Sequence, residues 1–394
     1  MKKRFAMTFS LVCAFSLLGT LSCFAQSNSS EMYSSIVSNL EKDNYGGAYI
    51  KDGVLHIKPM KEADENRFLK TITRSNSNSD VEIIFDDVAK YSMVELTNAM
   101  EDAIPLFEDL DIDFVAIDEQ NNGLVVGVYN VTEEKKAIFC DTINIENIVF
   151  EELNTGEVVN ENIDSTDSPS TTSIKAAKPV SSGVEATDSN VQIDGNHLSS
   201  TIGASAGSSN KKYFVTTAHG TNKGDSFRYS SLGEIGTVAE KVMSGAKGID
   251  ISLIEVNEDN ATLTMGTIDN HIILASGAPV SGSNVKIING NTPATAKITY
   301  ASCTKIWNEE KYNDFNTYKN IMMMELTGST TTGNGDSGSA VVTEFTSAGN
   351  TYYNICGIYK GRSEDAGKET RATMKYLYAT RWDVLSDYFD ISIY

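Results

Sequence analysis

The stretch Tyr213-Phe-Val-Thr-Thr-Ala-His-Gly220 is an apolar run of β type that ends at a histidine and a glycine. β-branched and aromatic residues favour strands, and glycine favours the turn that follows. Runs of the same kind, separated by Gly, Ser and Asn, predict strands at 213–217, 249–256, 284–288, 321–326, 339–345 and 352–359. Many short strands at close spacing predict an all-β barrel or sandwich over residues 186–394, closed by a short helix at 381–389.

A smaller region of mixed pattern precedes these strands. Polar and apolar residues alternate around Asp52-Gly53, which predicts a hairpin, and Ser92 precedes apolar residues at helical spacing toward Leu106. Two further strands are predicted at 113–117 and 123–129. We therefore predict an α+β domain over residues 27–154.

The stretch between the two regions is poor in large apolar groups. No Phe, Trp or Tyr lies between Glu151 and Lys212, and the middle of the stretch reads Asp164-Ser-Thr-Asp-Ser-Pro-Ser-Thr-Thr-Ser173. Small polar residues bury too little apolar surface to offset the entropy lost on ordering. We predict a flexible linker over residues 155–185.

The net charge of the chain argues against two classes of binding partner. The 394 residues have a net charge of −21, and residues 1–185 hold 31 acidic against 15 basic side chains. Nucleic acid and an anionic membrane surface would both repel such a chain. We expect neither as a partner.

The first residues have the pattern of a secretory signal peptide. Lys2-Lys3-Arg4 precede an apolar run to Leu21, and Ala25 supplies a small residue for cleavage, which predicts a leader over residues 1–25. A membrane anchor needs about 20 apolar residues, whereas this run is interrupted by Thr and Ser. A lipoprotein cut before Cys23 is the lesser alternative, because Thr20 stands where such signals usually carry Leu. No later stretch is long enough to span a bilayer, so we expect a secreted protein.

Neither a disulfide scaffold nor a metal site is predicted. Beyond the predicted leader the sequence has three cysteines, Cys140, Cys303 and Cys356. Asp109, Asp111 and Asp113 resemble the opening of a calcium loop, but Phe114 stands where Gly is needed and no Glu follows at the twelfth position. We expect a solvated strand edge there instead.

Three residues of the second region have the chemistry of nucleophilic catalysis. A serine becomes a nucleophile when a base takes its proton, an acid orients that base and backbone amides await the oxyanion. Ser337 lies in Gly333-Asn-Gly-Asp-Ser-Gly-Ser339, where flanking glycines permit a tight turn that exposes the hydroxyl and aims the amides of Gly335 and Ser337 at one point. A Gly/Ser loop without chemistry is the alternative.

His219 and Asp250 are the candidate base and acid. His219 ends an apolar strand, while the other histidines, His56, His197 and His271, lie elsewhere in the pattern. Asp250 heads the apolar strand Asp-Ile-Ser-Leu-Ile254, where burial of a carboxylate needs a donor such as an imidazole N–H. The rival acids, Asp225, Asp259 and Asp269, lie in more polar, turn-like settings.

These motifs together resemble a known family. In order and spacing, Phe214-Val-Thr-Thr-Ala-His-Gly220, Asp250-Ile-Ser-Leu-Ile254 and Gly335-Asp-Ser-Gly-Ser339 are similar to the His, Asp and Ser motifs of trypsin-like serine peptidases of the chymotrypsin superfamily. Residues 200–217 look like the first hairpin of the bacterial streptogrisin and α-lytic-protease group. Residues 45–50, 91–96 and 121–126 look like parts of the pro-region of that group.

The resemblance implies a double six-stranded β-barrel preceded by a smaller α+β pro-domain. His219 would be general base and then acid, Asp250 the orienting carboxylate, and Ser337 the acylated nucleophile, with the Gly335 and Ser337 amides as oxyanion hole. The chain would be a secreted bacterial endopeptidase, made as a zymogen, that acts on protein or peptide substrates without a cofactor. Its pro-domain would serve as intramolecular inhibitor and folding aid.

The sequence departs from the family pattern at three places. Gly220 replaces a disulfide-forming Cys, Ser339 replaces the second glycine after the serine, and residues 357–362 carry two cations where a small Ser and glycines are commoner. Cys303 and Cys356 either pair or remain free.

The unusual cations suggest a substrate pocket. Thr331, Lys360 and Arg362 are the candidate pocket residues, and a cation directed into the pocket would favour cleavage after Glu or Asp. Solvated cations at the rim are the alternative. An inactive secreted binding or adhesion protein on the same fold is the second hypothesis for function, and an esterase is the third.

Overall fold

The computed structural model describes residues 29–393 with gaps. The gaps are 63, 66, 70–81, 154–155, 161–162, 166–177, 181–184, 194–195, 209, 230–232, 260, 264–266, 269–270, 290–292, 310–313, 331, 333–335, 348–349 and 366–373. The predicted leader, the oxyanion-hole candidate Gly335 and the pocket candidate Thr331 therefore lie outside the described residues.

The described chain is mostly β. The α-helices with defined bounds among the described residues are α1 Ser29–Ser38, α2 Met93–Asp102, α3 Glu133–Thr142 and α4 Trp382–Phe389. The strands before residue 181 are β1 Tyr45–Lys51, β2 Val54–Pro59, β3 Ile83–Phe85, β4 Ile112–Asp118, β5 Gly123–Tyr129, β6 Ile148–Leu153, β7 Gly156–Asn160, β8 Ile163–Ser165 and β9 Lys178–Val180. The later strands are β10 Glu185–Ile193, β11 Asn196–Thr201, β12 Ala204–Ser208, β13 Lys211–Thr216, β14 Ser226–Tyr229, β15 Gly233–Ser244, β16 Ile249–Val256, β17 Ala261–Leu263, β18 Thr267–Ile268, β19 His271–Ser276, β20 Asn284–Ile288, β21 Ala294–Glu309, β22 Asp314–Leu326, β23 Ala340–Ser347, β24 Asn350–Asp365, β25 Met374–Arg381 and β26 Ser392–Ile393.

Two large sheets hold most of these strands. One has the order β26-β12-β13-β16-β15-β14-β10-β11-β8, and the other runs β18-β19-β24-β23-β20-β21-β4-β5-β6, with β22, β25 and β7 attached beside it. A cluster of buried apolar residues joins them, with Val215 and Leu253 from the first sheet, Val342 and Ile355 from the second, and Trp382 of α4. The seam between the sheets is where the candidate site lies.

The N-terminal elements follow the predicted pattern with one correction. β1 and β2 form the hairpin, and its turn residues Asp52 and Gly53 both have positive φ. Ser92 and Glu95 form a reciprocal capping box that starts α2. The helix was predicted to continue toward Leu106, but it ends at Asp102 and a short 3₁₀ helix follows, because Pro105 cannot donate the next backbone hydrogen bond.

The N-terminal region is joined to the second region by strand pairing. β4 pairs with β21 in register Cys303↔Ala116, so β4, β5 and β6 extend the larger sheet. An ion pair between Lys305 Nζ and Asp113 Oδ1, at 2.5 Å, crosses this junction with the ammonium fully buried. Asp113 was predicted to lie on a solvated edge; it is buried instead, because a cation of β21 faces it.

The stretch predicted as a flexible linker contributes strands to the sheets. β7 pairs with β24, β8 with β11, and β9 with β17. Residues 166–177, which include most of the Ser/Thr-rich run, lie outside the described residues. Among the described helices, none combines the length and apolarity needed to cross a membrane.

Candidate active site

His219 lies just beyond the end of β13, at the seam of the two sheets. The chain turns there, and the backbone N–H groups of Ala218 and His219 donate to Asp250 Oδ1 at 3.0 and 3.1 Å. The imidazole Nδ1 lies 2.6 Å from Asp250 Oδ2. Backbone and ring are therefore held by the same carboxylate, which places the proton on Nδ1 and leaves Nε2 as an acceptor.

Asp250 is the second residue of β16 and is fully buried. Its register partner on the neighbouring strand is Met243, and its own N–H donates to Thr380 Oγ1 at 3.2 Å. A carboxylate without donors would be costly in such a place. Here Oδ1 accepts two backbone N–H groups and Oδ2 accepts from the imidazole and from a lysine.

Ser337 brings its hydroxyl to the imidazole from the other sheet. Its Oγ lies 3.0 Å from His219 Nε2 and 2.6 Å from the carbonyl oxygen of Lys360. The single hydroxyl proton can be donated to one of these two acceptors at a time. The structure thus joins Ser337, His219 and Asp250 in one continuous line of hydrogen bonds.

The turn at Gly338 holds the serine in this position. Gly338 has φ of +96°, and an added Cβ would lie 2.1 Å from the carbonyl oxygen of Thr201. Backbone bonds from Thr201 N to Ser337 O and from Gly338 N to Tyr359 O, both 2.8 Å, fix the turn to β11 and β24. Only glycine fits both the conformation and the space.

A buried lysine lies behind the carboxylate. Lys360 Nζ is 2.7 Å from Asp250 Oδ2 and 2.6 Å from Asp314 Oδ2, and the ammonium lies over the rings of Trp307 and Tyr318. Burial acts to raise the pKa of Asp250, but the nearby His219 and Lys360 outweigh it and hold that pKa well below its usual range. Burial, and then the two carboxylates, raise the pKa of the Tyr318 phenol, so it stays protonated and donates to Asp314.

The pocket candidates are placed differently from one another. Lys360 was expected to point into a substrate pocket; its ammonium is instead enclosed and neutralised by Asp250 and Asp314, so it is not directed at a substrate side chain. Arg362 is also buried, and its Nη1 donates to the Thr332 carbonyl at 3.0 Å. The pocket roles of Arg362 and Thr331 remain predictions.

The structure also describes the residue before Ser337 and the two cysteines of the second region. Asp336, which directly precedes the candidate nucleophile, is half-buried and accepts from Asn289 Nδ2 at 3.0 Å. Cys303 and Cys356 are free, buried thiols in separate core clusters, so the disulfide alternative is wrong. The oxyanion role of the Gly335 and Ser337 amides stays a prediction.

Sequence reasoning missed the part played by two charged residues. Lys360 was noticed as an unusual cation, but its partners were not identified. Asp314 lies between Asn313 and Phe315, with nothing in the local pattern that distinguishes it from a surface turn. The usable signal was that Lys360 directly follows the apolar run Ile355–Tyr359. A lysine buried with such a strand requires a carboxylate partner.

Comparison with known proteins gives matches among solved structures alone. No protein-family model matches the chain, and no curated protein matches it significantly. Thermobifida fusca Protease A is 17% identical over 55% of this chain and 98% of its own, with a TM-score of 0.36. Nocardiopsis Protease is 15% identical over 55% and 99%, with a TM-score of 0.39. A glutamic acid specific serine protease is 17% identical over 55% and 100%, with a TM-score of 0.41. Each of these three matches covers 55% of this chain.

Proposed function

We propose that the protein is a secreted serine endopeptidase synthesised as a zymogen. The observation that carries the proposal is the line Ser337 Oγ, His219 Nε2, His219 Nδ1 and Asp250 Oδ2, with separations of 3.0 Å and 2.6 Å across two sheets. Residues from the turn after β13, from β16 and from the turn before β23 meet here in the order that a nucleophile, a base and an orienting acid require. Secretion is proposed from the leader-like pattern of residues 1–25.

The chemistry follows from this arrangement. His219 Nε2 takes the hydroxyl proton as Ser337 Oγ attacks the scissile carbonyl, and Asp250 stabilises the imidazolium that forms. The tetrahedral oxyanion would accept hydrogen bonds from the Gly335 and Ser337 amides. The imidazolium then donates its proton to the departing amine, which leaves Ser337 acylated. Water, deprotonated by the same imidazole, hydrolyses the ester and frees the serine.

The strand after Lys360 is the natural place for a substrate backbone. The Lys360 carbonyl oxygen lies 2.6 Å from Ser337 Oγ, and residues 361–365 continue away from it along the edge of β24. An extended peptide added to this edge would place a carbonyl near the nucleophile. β7 occupies that edge, with register partners Gly361↔Asn160 and Arg362↔Val159. This supports a zymogen in which the chain itself covers the cleft.

The contacts of the N-terminal region support a role in folding. Its strand β4 completes the larger sheet against β21, and the Lys305–Asp113 pair buries a cation across the junction. Long-range β pairing is slow to form, so an attached region that templates one sheet edge would speed folding. We propose that residues 27–154 assist folding and are removed by cleavage within residues 155–185.

Hydrolysis by matched serine variants tests the proposal. The secreted full chain is allowed to mature, and casein and peptidyl amide hydrolysis are measured for wild type, Ser337→Ala and Ser339→Ala. Ser337→Ala is expected to lower kcat by roughly 10⁴-fold or more. Ser339 is equally buried and lies two residues away, so Ser339→Ala is expected to retain activity. A folded, processed wild type without amide hydrolysis, or equal activity in Ser337→Ala, would refute the proposal.

A further inference from the structure

Three charged side chains from three strands meet behind the candidate triad. Lys360 of β24 donates to Asp250 of β16 and to Asp314, the first residue of β22, at 2.7 and 2.6 Å. All three are at most 1% exposed. Asp314 is held in turn by Tyr318 Oη at 3.1 Å and Asn316 Nδ2 at 2.8 Å. The ammonium therefore cannot reach solvent, substrate or a different carboxylate without breaking this cluster.

Two aromatic rings flank the ammonium of Lys360. The ammonium lies 4.4 Å from the ring centroid of Trp307 and 4.5 Å from that of Tyr318. Aromatic faces attract a cation, and each of the two carboxylates accepts a hydrogen bond from the ammonium. Among the described residues, the titratable groups in contact with Lys360 include Asp250, Asp314 and Tyr318, with His219 on the far side of Asp250. Lys305 lies beyond Tyr378, paired with Asp113.

The net charge of this cluster determines how strongly it stabilises an imidazolium at His219. Asp250 and Lys360 alone would form a pair with no net charge. Such a pair would give little electrostatic stabilisation to an imidazolium formed at His219. Asp314 adds a second negative charge, so the buried set of two carboxylates and one ammonium has a net charge of −1. That equals the charge of a lone orienting aspartate, while the lysine adds a second strong donor that fixes the Asp250 carboxylate.

We propose that Lys360 and Asp314 are positioning residues that act on the reaction through Asp250. Lys360 holds the carboxylate in the orientation that receives His219 Nδ1, and Asp314 cancels the charge that Lys360 brings. This inference rests on the proposed peptidase function and adds two residues to it. Both act through their side chains, whereas the contact of Lys360 with Ser337 Oγ is made by its backbone carbonyl.

The proposal predicts opposite effects of two single substitutions. In Lys360→Met the cluster becomes more negative by one charge, which stabilises the imidazolium, so the acid limb of the kcat/KM profile moves to higher pH. In Asp314→Asn the cluster becomes neutral, so the acid limb moves to lower pH. Each shift is expected to be about one pH unit. The double variant Lys360→Met/Asp314→Asn restores the net charge, and its acid limb returns toward the wild-type position.

Loss of positioning is measured separately from the charge effect. Lys360→Met and the double variant both lack the donor to Asp250, so we expect kcat to fall roughly 10-fold to 100-fold in each. Asp314→Asn keeps the bond from Lys360 to Asp250 and leaves no carboxylate without a partner, which makes it the variant best able to fold. Lys305→Met removes another buried lysine over an aromatic ring and is the control, with no expected movement of the acid limb.

The same shifts are measured without turnover by NMR of the full chain carrying Ser337→Ala. The pH at which the His219 ring signals change is expected to rise with Lys360→Met, to fall with Asp314→Asn and to stay in place with Lys305→Met. Shifts of equal sign, or none, in folded variants would overturn the inference. If wild type shows no hydrolysis that depends on Ser337, the proposed function fails, and the NMR titration still decides the electrostatic coupling.

Discussion

Gly338 shows how much one residue constrains the candidate nucleophile. Its φ of +96° is strained for any other residue, and a Cβ there would overlap the Thr201 carbonyl and Thr216 Oγ1. Gly224 has a similar φ of +91° but open space around it. The comparison of these two glycines separates backbone strain from steric overlap.

We expect Gly338→Ala to destabilise the protein more than Gly224→Ala does. The backbone strain alone costs about 1–3 kcal/mol, which Gly224→Ala should show, and Gly338→Ala adds the displacement of β11. Urea unfolding followed by circular dichroism, in a Ser337→Ala background that prevents self-cleavage, measures both. Equal losses in the two variants would contradict the role given to the space around Gly338.

Glu119 makes the stability of the full chain depend on pH. It lies in the turn after β4, is buried against Ser281 of the second region, and its Oε2 has no hydrogen-bond partner among the described residues. Burial raises the pKa of Glu119 to about 7, although Ser281 and Arg381 favour the ionised form. The folded chain therefore binds a proton that the unfolded chain has released between about pH 4.5 and 7.

This proton binding predicts that stability falls as pH rises through that window. The wild type should lose about 2–3 kcal/mol relative to Glu119→Gln between pH 5 and pH 8. Urea unfolding of both proteins at the two pH values, again with Ser337→Ala, measures the difference. Glu146→Gln, at an exposed carboxylate paired with Lys90, is the control and should leave the pH dependence unchanged. A parallel pH dependence in wild type and Glu119→Gln would refute this account.

At the scale of elements, the pairing of β7 with β24 bears on the proposed zymogen. The strand covers the edge that starts next to the Ser337 hydroxyl. Proline cannot donate to a ladder, and in an antiparallel pair one of any two adjacent residues must donate to the partner. Two adjacent prolines therefore disrupt β7 whichever residue donates.

We expect Val158→Pro/Val159→Pro to raise peptide hydrolysis by the unprocessed chain. The pair should release the edge of β24 and leave the N-terminal contacts at β4 and β21 in place. Initial rates on a short peptidyl substrate, before cleavage is visible on a gel, measure the effect. Thr171→Pro/Thr172→Pro adds the same two rings outside any described strand and should not raise the rate. An unchanged rate in the β7 variant would argue against self-inhibition by this strand.

Prediction from sequence succeeded where the signal was local. The strand at 249–256 and the hairpin at Asp52-Gly53 follow from side-chain alternation and turn residues a few positions apart, and both are confirmed. The end of α2 was placed too late, because apolar spacing continues beyond Asp102 although Pro105 ends the hydrogen-bond ladder. Short-range patterns therefore predict the type and position of an element better than they predict the residue at which it ends.

At the scale of the whole molecule, long-range electrostatics escaped prediction. Asp250, Asp314 and Lys360 are separated along the chain by 64 and 46 residues and meet only when three strands assemble. Asp113 and Lys305 likewise belong to different regions and pair across a junction that no local pattern indicates. A buried charge in a sequence signals that a partner exists but not which residue it is.

The most direct test of the account is to locate the reactive residue in the matured protein. The processed wild type is treated with a serine-directed peptidyl phosphonate, digested and analysed by mass spectrometry, with His219→Ala and Ser339→Ala in parallel. We predict one adduct on Ser337 in wild type and Ser339→Ala, and a strongly reduced adduct in His219→Ala, because the hydroxyl then lacks its base. An adduct on another residue, or none in a folded and processed sample, would contradict the account.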